Sequence, residues 1–291
     1  MNSQMRQFTE NLARKFISEK EYEQYKNIPF YDEGHGYDLF GFEKESGLIG
    51  FAIVKYLYLH YFRVESFGHE NIPKKGRGML VSNHSGVLPI DGAMVAIDCM
   101  KKLDPPRVVR SVVLRFFMGY PFVGTILRRV GQINGMKRDF EELLRREELT
   151  AVFPEGVKGL GKHFSQRYKL RKFNVGFLEI AIQEKTPIIP TCVIGAEEQA
   201  PLLYNLKPLA KILGFPYFPV TPTFPHLGLL GCIPLPVKYR IYYGEPFHFY
   251  KDYSPEVVND PEKVRELVEV VRGAVQDLIN KGLEARTGIF V

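Results

Sequence analysis

The apolar positions fall into short runs, and the spacing within each run assigns an element. Before residue 65 the pattern is helical. Met5, Phe8, Leu12 and Phe16 recur at three- and four-residue intervals, which predicts a short amphipathic helix within residues 4–25. YDEGHGYDLFGFEKESG (31–47) reads as a loop. GLIGFAIVKYLYLHYF (47–62) is then apolar around most of a helical circumference, but its length and the interruptions at Lys55 and His60 argue against a membrane span. Two readings stay open for it. One is a helix lying in a bilayer interface, with Lys55 snorkelling and its tyrosines at headgroup depth; the other is a helix buried in the core.

From residue 78 the pattern becomes an alternation. Strands are predicted at GMLVS (78–82), VVRSVVL (108–114), TAVF (150–153), PIIPTCVI (187–194) and VKYRIYY (237–243). Helices are predicted from after the first strand to about residue 101, around 115–129, through FEELLRREE, and over 174–185, with GQING (131–135) as a turn. Strands separated by helix-length segments predict an α/β fold with a mixed, largely parallel sheet flanked by helices. At the C-terminus Asp260 can cap a helix whose first turn holds Pro261. Val264, Leu267, Val268, Val271, Val275 and Leu278 form its stripe and Gly282 would stop it, which predicts a helix over 260–282. The chain thus divides into an N-terminal helical segment (1–65) suited to membrane association and an α/β domain (66–291).

One stretch of that domain breaks the alternation. Residues 200–236 carry two charges and eight prolines, a density that forbids a spanning helix. An apolar segment of this kind must cover the core or face lipid, and the expectation leans towards membrane contact or an acyl-chain lining.

Composition narrows the class. With 291 residues, 45% of them hydrophobic and 25% charged, the chain can bury a sizeable core, and disorder, collagen-like repeats and coiled coils are excluded. Cys99, Cys192 and Cys232 are too scattered for a disulfide framework, and no C-x-x-C pair suggests zinc, so a reducing compartment is expected. The polar N-terminal residues lack the apolar run of a secretory signal. The net charge of +6 is unevenly spread. Residues 101–175 hold 17 Lys and Arg against 7 Asp and Glu, which suits either an anionic partner or a solvated basic surface.

The sharpest chemical feature is SNHSGVLPIDG (82–92), which begins where the strand GMLVS ends, the sheet edge at which open α/β folds bind ligands. A carboxylate at Asp91 can take the proton on one ring nitrogen of His84, fix the tautomer, and leave the other nitrogen to deprotonate a hydroxyl. FPEG (153–156) also follows a strand directly. Glu155, the glycine backbone at Gly156, and the lysines Lys158 and Lys162 could hold a polar headgroup or a phosphate there. A third feature, GQINGMKR (131–138), ends in adjacent cations. Ser85 beside His84 invites a serine-hydrolase reading, but sequence neighbours rarely point at one another, and no G-x-S-x-G elbow occurs. His163 lies within a dense basic stretch, Lys162 to Lys172, suited to donor phosphates or anionic lipid heads.

These blocks, in this order over residues 78–195, resemble the glycerolipid acyltransferases, which include 1-acylglycerol-3-phosphate and other lysophospholipid acyltransferases. The family's Asn-His-x4-Asp is matched by Asn83-His84 and Asp91, with six residues in place of four and Pro89 where the acid usually stands. Its Gly-containing basic turn is matched loosely by Gly131 to Arg138, its Phe-Pro-Glu-Gly without change at 153–156, and its hydrophobic-Pro strand by Ile188-Ile189-Pro190-Thr191. After Gly156 the family usually has a hydroxyl residue and Arg, where this chain has Val157 and Lys158. Lysine offers a point charge in place of a fork and weakens phosphate recognition.

The resemblance implies a glycerol-3-phosphate-acyltransferase-like α/β fold and direct acyl transfer from acyl-CoA or acyl-carrier protein to a hydroxyl of a lysophospholipid or glycerolipid. His84 and Asp91 would be catalytic. Asn83, Arg138, Glu155, Gly156 and Lys158 would bind substrate, with backbone amides near Gly156 facing the oxyanion. The expected setting is the cytoplasmic face of a membrane, held peripherally, with no metal or redox cofactor and no nucleic-acid partner. Two other classes remain open: a lipid hydrolase or transacylase using the same pair, and a non-catalytic lipid-binding protein.

Overall fold

In a computed structural model the structure describes residues 7, 10–32, 34–113 and 115–291. Met5 and Phe8 of the expected N-terminal helix lie outside the described residues. Beyond them the buried positions are Ala13 and Ile17, while Phe16 faces outward. Helix α1 (Glu19–Lys26) starts at Ser18. Its hydroxyl accepts from the Glu21 amide and its own amide donates to the Glu21 carboxylate, a reciprocal cap.

Helix α2 (Lys44–Tyr56) continues through a wider turn at Leu57–Tyr61, so the apolar 47–62 stretch is helical nearly throughout. Leu48, Phe51, Ala52, Tyr58 and Phe62 are buried, whereas Ile53, Tyr56, Leu57 and Leu59 are exposed. The inner face joins the same core as Leu80, Met94 and Ile241 of the sheet domain, so this segment packs onto that domain. Lys55 does not snorkel. It is buried, with its ammonium 2.6 Å from the Glu21 carboxylate and 3.3 Å from the Phe16 carbonyl, because an inward-facing lysine needs a partner to stay charged. Among the described residues, no helix is long and apolar enough to cross a membrane.

The sheet strands are β1 (Glu65–Phe67), β2 (Gly78–Ser82), β3 (Val109–Val113), β4 (Ile133–Asn134), β5 (Leu149–Val152), β6 (Ile188–Ile194) and, late in the chain, Arg240–Tyr243. That last strand is β9, because a small antiparallel pair, β7 (Tyr204–Asn205) and β8 (Pro219–Val220), comes between. The seven-stranded order is β1-β9-β6-β2-β5-β3-β4. All pairs are parallel except β6–β9, so the five strands from β6 to β4 run one way, and β9 with β1 run the other. This is the mixed, largely parallel α/β sheet that the alternation predicts. The central β2 is buried at every position, as a parallel strand covered on both faces must be.

Between the strands, α3 (Ile90–Lys102) follows β2, and α4 (Arg115–Gly119) and α5 (Val123–Arg129) follow β3. The single helix expected around 115–129 is split because Pro121 cannot continue it. Helix α6 (Lys137–Arg145) precedes β5. The short α7 (Val157–Leu160) and α8 (Gly176–Gln183) lie between β5 and β6, and α9 (Ala196–Gln199) and α10 (Lys207–Leu213) follow β6. After β9 come α11 (Phe249–Asp252) and the long α12 (Pro261–Ala285), capped as expected by the Asp260 carboxylate. Gly282 does not end α12. It sits inside the helix against β6 and β9, where a Cβ would come within 2.3 Å of Ile194, so its smallness serves close helix–sheet packing.

The proline-rich 200–236 segment covers the core with part of its apolar residues and leaves the others open. Leu202, Ala210 and Tyr217 are buried, whereas Ile212 (80% exposed), Leu229 (87%) and Leu230 (70%) are open to solvent. Phe215 meets Phe116 and Tyr120 from the α4 side, with ring centroids 5.7 and 6.4 Å apart. The exposed apolar surface of α10 therefore adjoins that of the α4–α5 loop, where Phe122 is 83% exposed.

Candidate active site

The site forms where β2 and β5 end side by side. Ser82 closes β2, and the chain leaves the sheet through Asn83-His84-Ser85-Gly86 before turning into α3. Gly86 has φ +73°, and a Cβ there would lie 2.1 Å from the Ala196 carbonyl oxygen, so only glycine fits this turn. The longer loop still returns the acid to the ring. Asp91, in the first turn of α3, accepts a hydrogen bond from His84 Nδ1 at 2.9 Å, and the same oxygen accepts from the Ser85 amide at 3.0 Å. The other Asp91 oxygen accepts from the Gly92 amide at 2.8 Å. Asp91 is fully buried and His84 nearly so. Six intervening residues thus achieve the contact, with the extra length absorbed by the Gly86 turn and by Leu88-Pro89 ahead of the helix.

With Nδ1 held, Nε2 is the nitrogen left for chemistry. The Phe153 ring lies on the imidazole at 4.5 Å between centroids. His84 lines a cavity of about 740 Å³ whose walls are mostly apolar, among them Ala93, Phe117, Val123, Leu127, Phe140 and Phe177. Ser111 and Val112, successive residues of β3, both line it, and successive strand side chains point to opposite faces. Val113, the last residue of that strand, lines it as well.

The other predicted site residues are placed differently. Asn83 is buried and holds the sheet: its amide nitrogen donates to the Val193 carbonyl at 3.0 Å, and its oxygen accepts from the Val193 amide at 2.8 Å. It is spent on joining β2 to β6 and does not reach the cavity. Glu155 is likewise consumed. One oxygen accepts from the His84 amide at 3.1 Å; the other accepts from the Arg171 amide at 2.7 Å and lies 3.4 Å from Lys162 Nζ. A buried carboxylate with these partners fixes the backbone of His84 and has no oxygen left for a headgroup. Gly156 does line the cavity, but its amide donates to the Phe153 carbonyl at 2.9 Å, so it is not an oxyanion donor. Lys158 is exposed and is not among the lining residues.

Of the adjacent cations, Lys137 lines the His84 cavity. Arg138 lines an adjoining one of about 620 Å³, which shares Met136 with the first, together with Arg128, Asp139, Glu142 and Arg145. Successive residues at the start of α6 thus face different sides, and Lys137 is the one on the His84 side. Lys162 was read as a phosphate contact and is instead buried between Glu155 and Glu197, 3.2 Å from the latter. Burial pushes the Glu197 carboxyl up, against the opposing pull of Lys162. No local signal marks Lys162 as buried, because its partners lie up to 35 residues away. His163 is exposed and caps a short turn, its Nδ1 accepting from the Ser165 amide. Among the described residues, no cluster of His, Cys, Asp or Glu could hold a metal ion.

The sequence model of a family described as Acyltransferase matches residues 63–194, the span from β1 to the end of β6. An uncharacterized protein of Mycobacterium tuberculosis is 40% identical over 87% of this chain and 71% of its own length. The human DGAT1/2-independent enzyme synthesizing storage lipids is 27% identical over 75% of this chain and 61% of its own. In fold, the chain is similar to the 1-acyl-sn-glycerophosphate (LPA) acyltransferase PlsC of Thermotoga maritima, with a TM-score of 0.52 at 18% identity, covering 99% of this chain and 98% of that one. The chain belongs to the acyltransferase family whose model it matches, together with its mycobacterial relative. Its class is therefore that of the acyltransferases, on a fold similar to that of PlsC.

Proposed function

We propose that this protein transfers a fatty acyl group from a thioester donor, acyl-CoA or acyl-carrier protein, to the hydroxyl of a glycerolipid or lysophospholipid. The observation that supports it most is a buried Asp91 holding one nitrogen of His84 while the ring opens onto an apolar cavity. His84 Nε2 takes the acceptor's hydroxyl proton as the oxygen attacks the thioester carbonyl carbon. The tetrahedral intermediate collapses with cleavage of the C–S bond, and the departing sulfur takes the proton from the imidazolium. Asp91 keeps the ring in the required tautomer and offsets its transient charge. Glu155, through the His84 amide, and Phe153, on the ring face, hold the base in place. No metal or redox group has a step to perform.

The apolar walls suit hydrocarbon, and the exposed cations Arg167, Lys169, Arg171 and Lys172, in the segment between α7 and α8, suit the phosphates of the donor. The exposed apolar side chains of α10 and the α4–α5 loop, with Lys207 and Lys211 among them, suit a peripheral position on the cytoplasmic leaflet of a membrane. Phospholipid synthesis or remodelling and storage-lipid synthesis are both within this chemistry. The test is acceptor-dependent release of free thiol from long-chain acyl-CoA, matched by an acylated lipid product. Release without an acceptor would mark a hydrolase, and binding without turnover a lipid-binding protein.

A further inference from the structure

Within that acyltransferase reading, on which this step rests, we infer that the acceptor deprotonated by His84 carries an uncharged head: a mono- or diacylglycerol hydroxyl and not a phosphorylated one. A phosphate monoester brings a charge of about −1.5 to −2 near neutral pH and, once out of water, needs several charge-assisted donors. The His84 cavity does not offer them. Among the described residues lining it, Lys137 is the one cation. That ammonium is half exposed and 3.7 Å from the Glu141 carboxylate, a screened point charge without a fork.

The groups a phosphate would otherwise use are diverted. Lys162 is locked between two carboxylates, Lys158 points outside, and Arg138 faces the neighbouring cavity beside Asp139 and Glu142. What the cavity does offer suits a neutral ester. Ser111 is only 4% exposed and lines it, and its hydroxyl has no hydrogen-bond partner. Besides His84 and Lys137, the polar side chains on its lining are the neutral ones of Ser111, Gln132 and Asn174, and such uncharged groups match an ester carbonyl or a free hydroxyl of a glyceride. The exposed cations of 167–172 leave the donor's phosphates served outside the cavity.

The test uses the full chain with long-chain acyl-CoA in phosphatidylcholine vesicles holding equal mole fractions of monoacylglycerol, diacylglycerol or lysophosphatidate, with glycerol 3-phosphate added in a fourth arm. Thiol release and acylated product are read together. The expected result is a kcat/KM for the better neutral acceptor at least about tenfold above that for lysophosphatidate or glycerol 3-phosphate. Equal or better use of lysophosphatidate overturns the inference while leaving acyl transfer intact. Thiol release that ignores every acceptor, or no release at all, overturns acyl transfer itself and this inference with it.

Discussion

Helix α3 carries two buried aspartates seven residues apart, and each meets a histidine. Asp91 holds His84 Nδ1 at 2.9 Å, and Asp98 holds His69 Nε2 at 3.0 Å. Seven residues are two helical turns, so the two acids share one face of the helix. By distance the pairs are nearly the same, and both acids are fully buried, yet their surroundings assign them opposite work. Asp91 is otherwise bound only by backbone amides, and its histidine opens onto the cavity. Asp98 also accepts from the hydroxyls of Tyr58 (2.6 Å), Ser66 (2.6 Å) and Tyr243 (2.8 Å), which come from the end of the α2 helix, from β1 and from β9. His69 does not line the His84 cavity. A His–Asp pair becomes a base by access to substrate; without it, the same pair is a fastening that ties three elements to one helix.

The comparison breaks most sharply at the first pair. His84→Ala should lower kcat/KM by about a thousandfold, within the range for loss of a general base and equivalent to about 4 kcal/mol, while the melting temperature changes little. If activity stays within tenfold of the wild type, His84 is not the base. Asp91→Asn should cost less, about a hundredfold in kcat, since the imidazole remains but loses the charge that orients and balances it. At the other end of the helix the sign reverses. Asp98→Ala leaves three hydroxyls and an imidazole without their common acceptor, so it should cost about 3 kcal/mol in urea unfolding, with kcat per folded molecule within about threefold of wild type. A kcat loss as large as that of Asp91→Asn would show that the two sites are not separate.

Much of this division was legible in the sequence, unevenly. The strand β2, the strand β6, the capped helix α12 and the pairing of His84 with Asp91 all follow from short-range pattern and motif, because each depends on residues within a few positions of one another. The strands β1 and β4, of three and two residues, are too short to show an alternation and exist by pairing with β9 and β3. The same limit hid the destinations of Glu155 and Lys162. A carboxylate between a strand and glycine reads as a ligand for substrate until the fold shows it bound to the His84 and Arg171 amides, 71 and 16 residues away. The second His–Asp pair was invisible for that reason too, since His69 and Asp98 are 29 residues apart and no motif joins them.

The smallest effect tests the fastening through its charge. Burial alone would raise the Asp98 carboxyl, but the hydrogen bonds from His69, Ser66 and Tyr58 outweigh it and hold the group below the ordinary carboxylate range. A carboxyl lowered on folding adds stability above its unfolded value, near about 3.9, and that stability drains away as pH falls through the folded value. Asn at position 98 keeps the shape and one acceptor oxygen but does not titrate. The melting-temperature gap between wild type and Asp98→Asn should therefore be full at about pH 6 and narrow as the pH drops below about 4. A gap that stays constant down to pH 2 would mean that the four donors bind Asp98 for its shape, and that its charge contributes nothing to holding the end of α2, β1 and β9 on the helix.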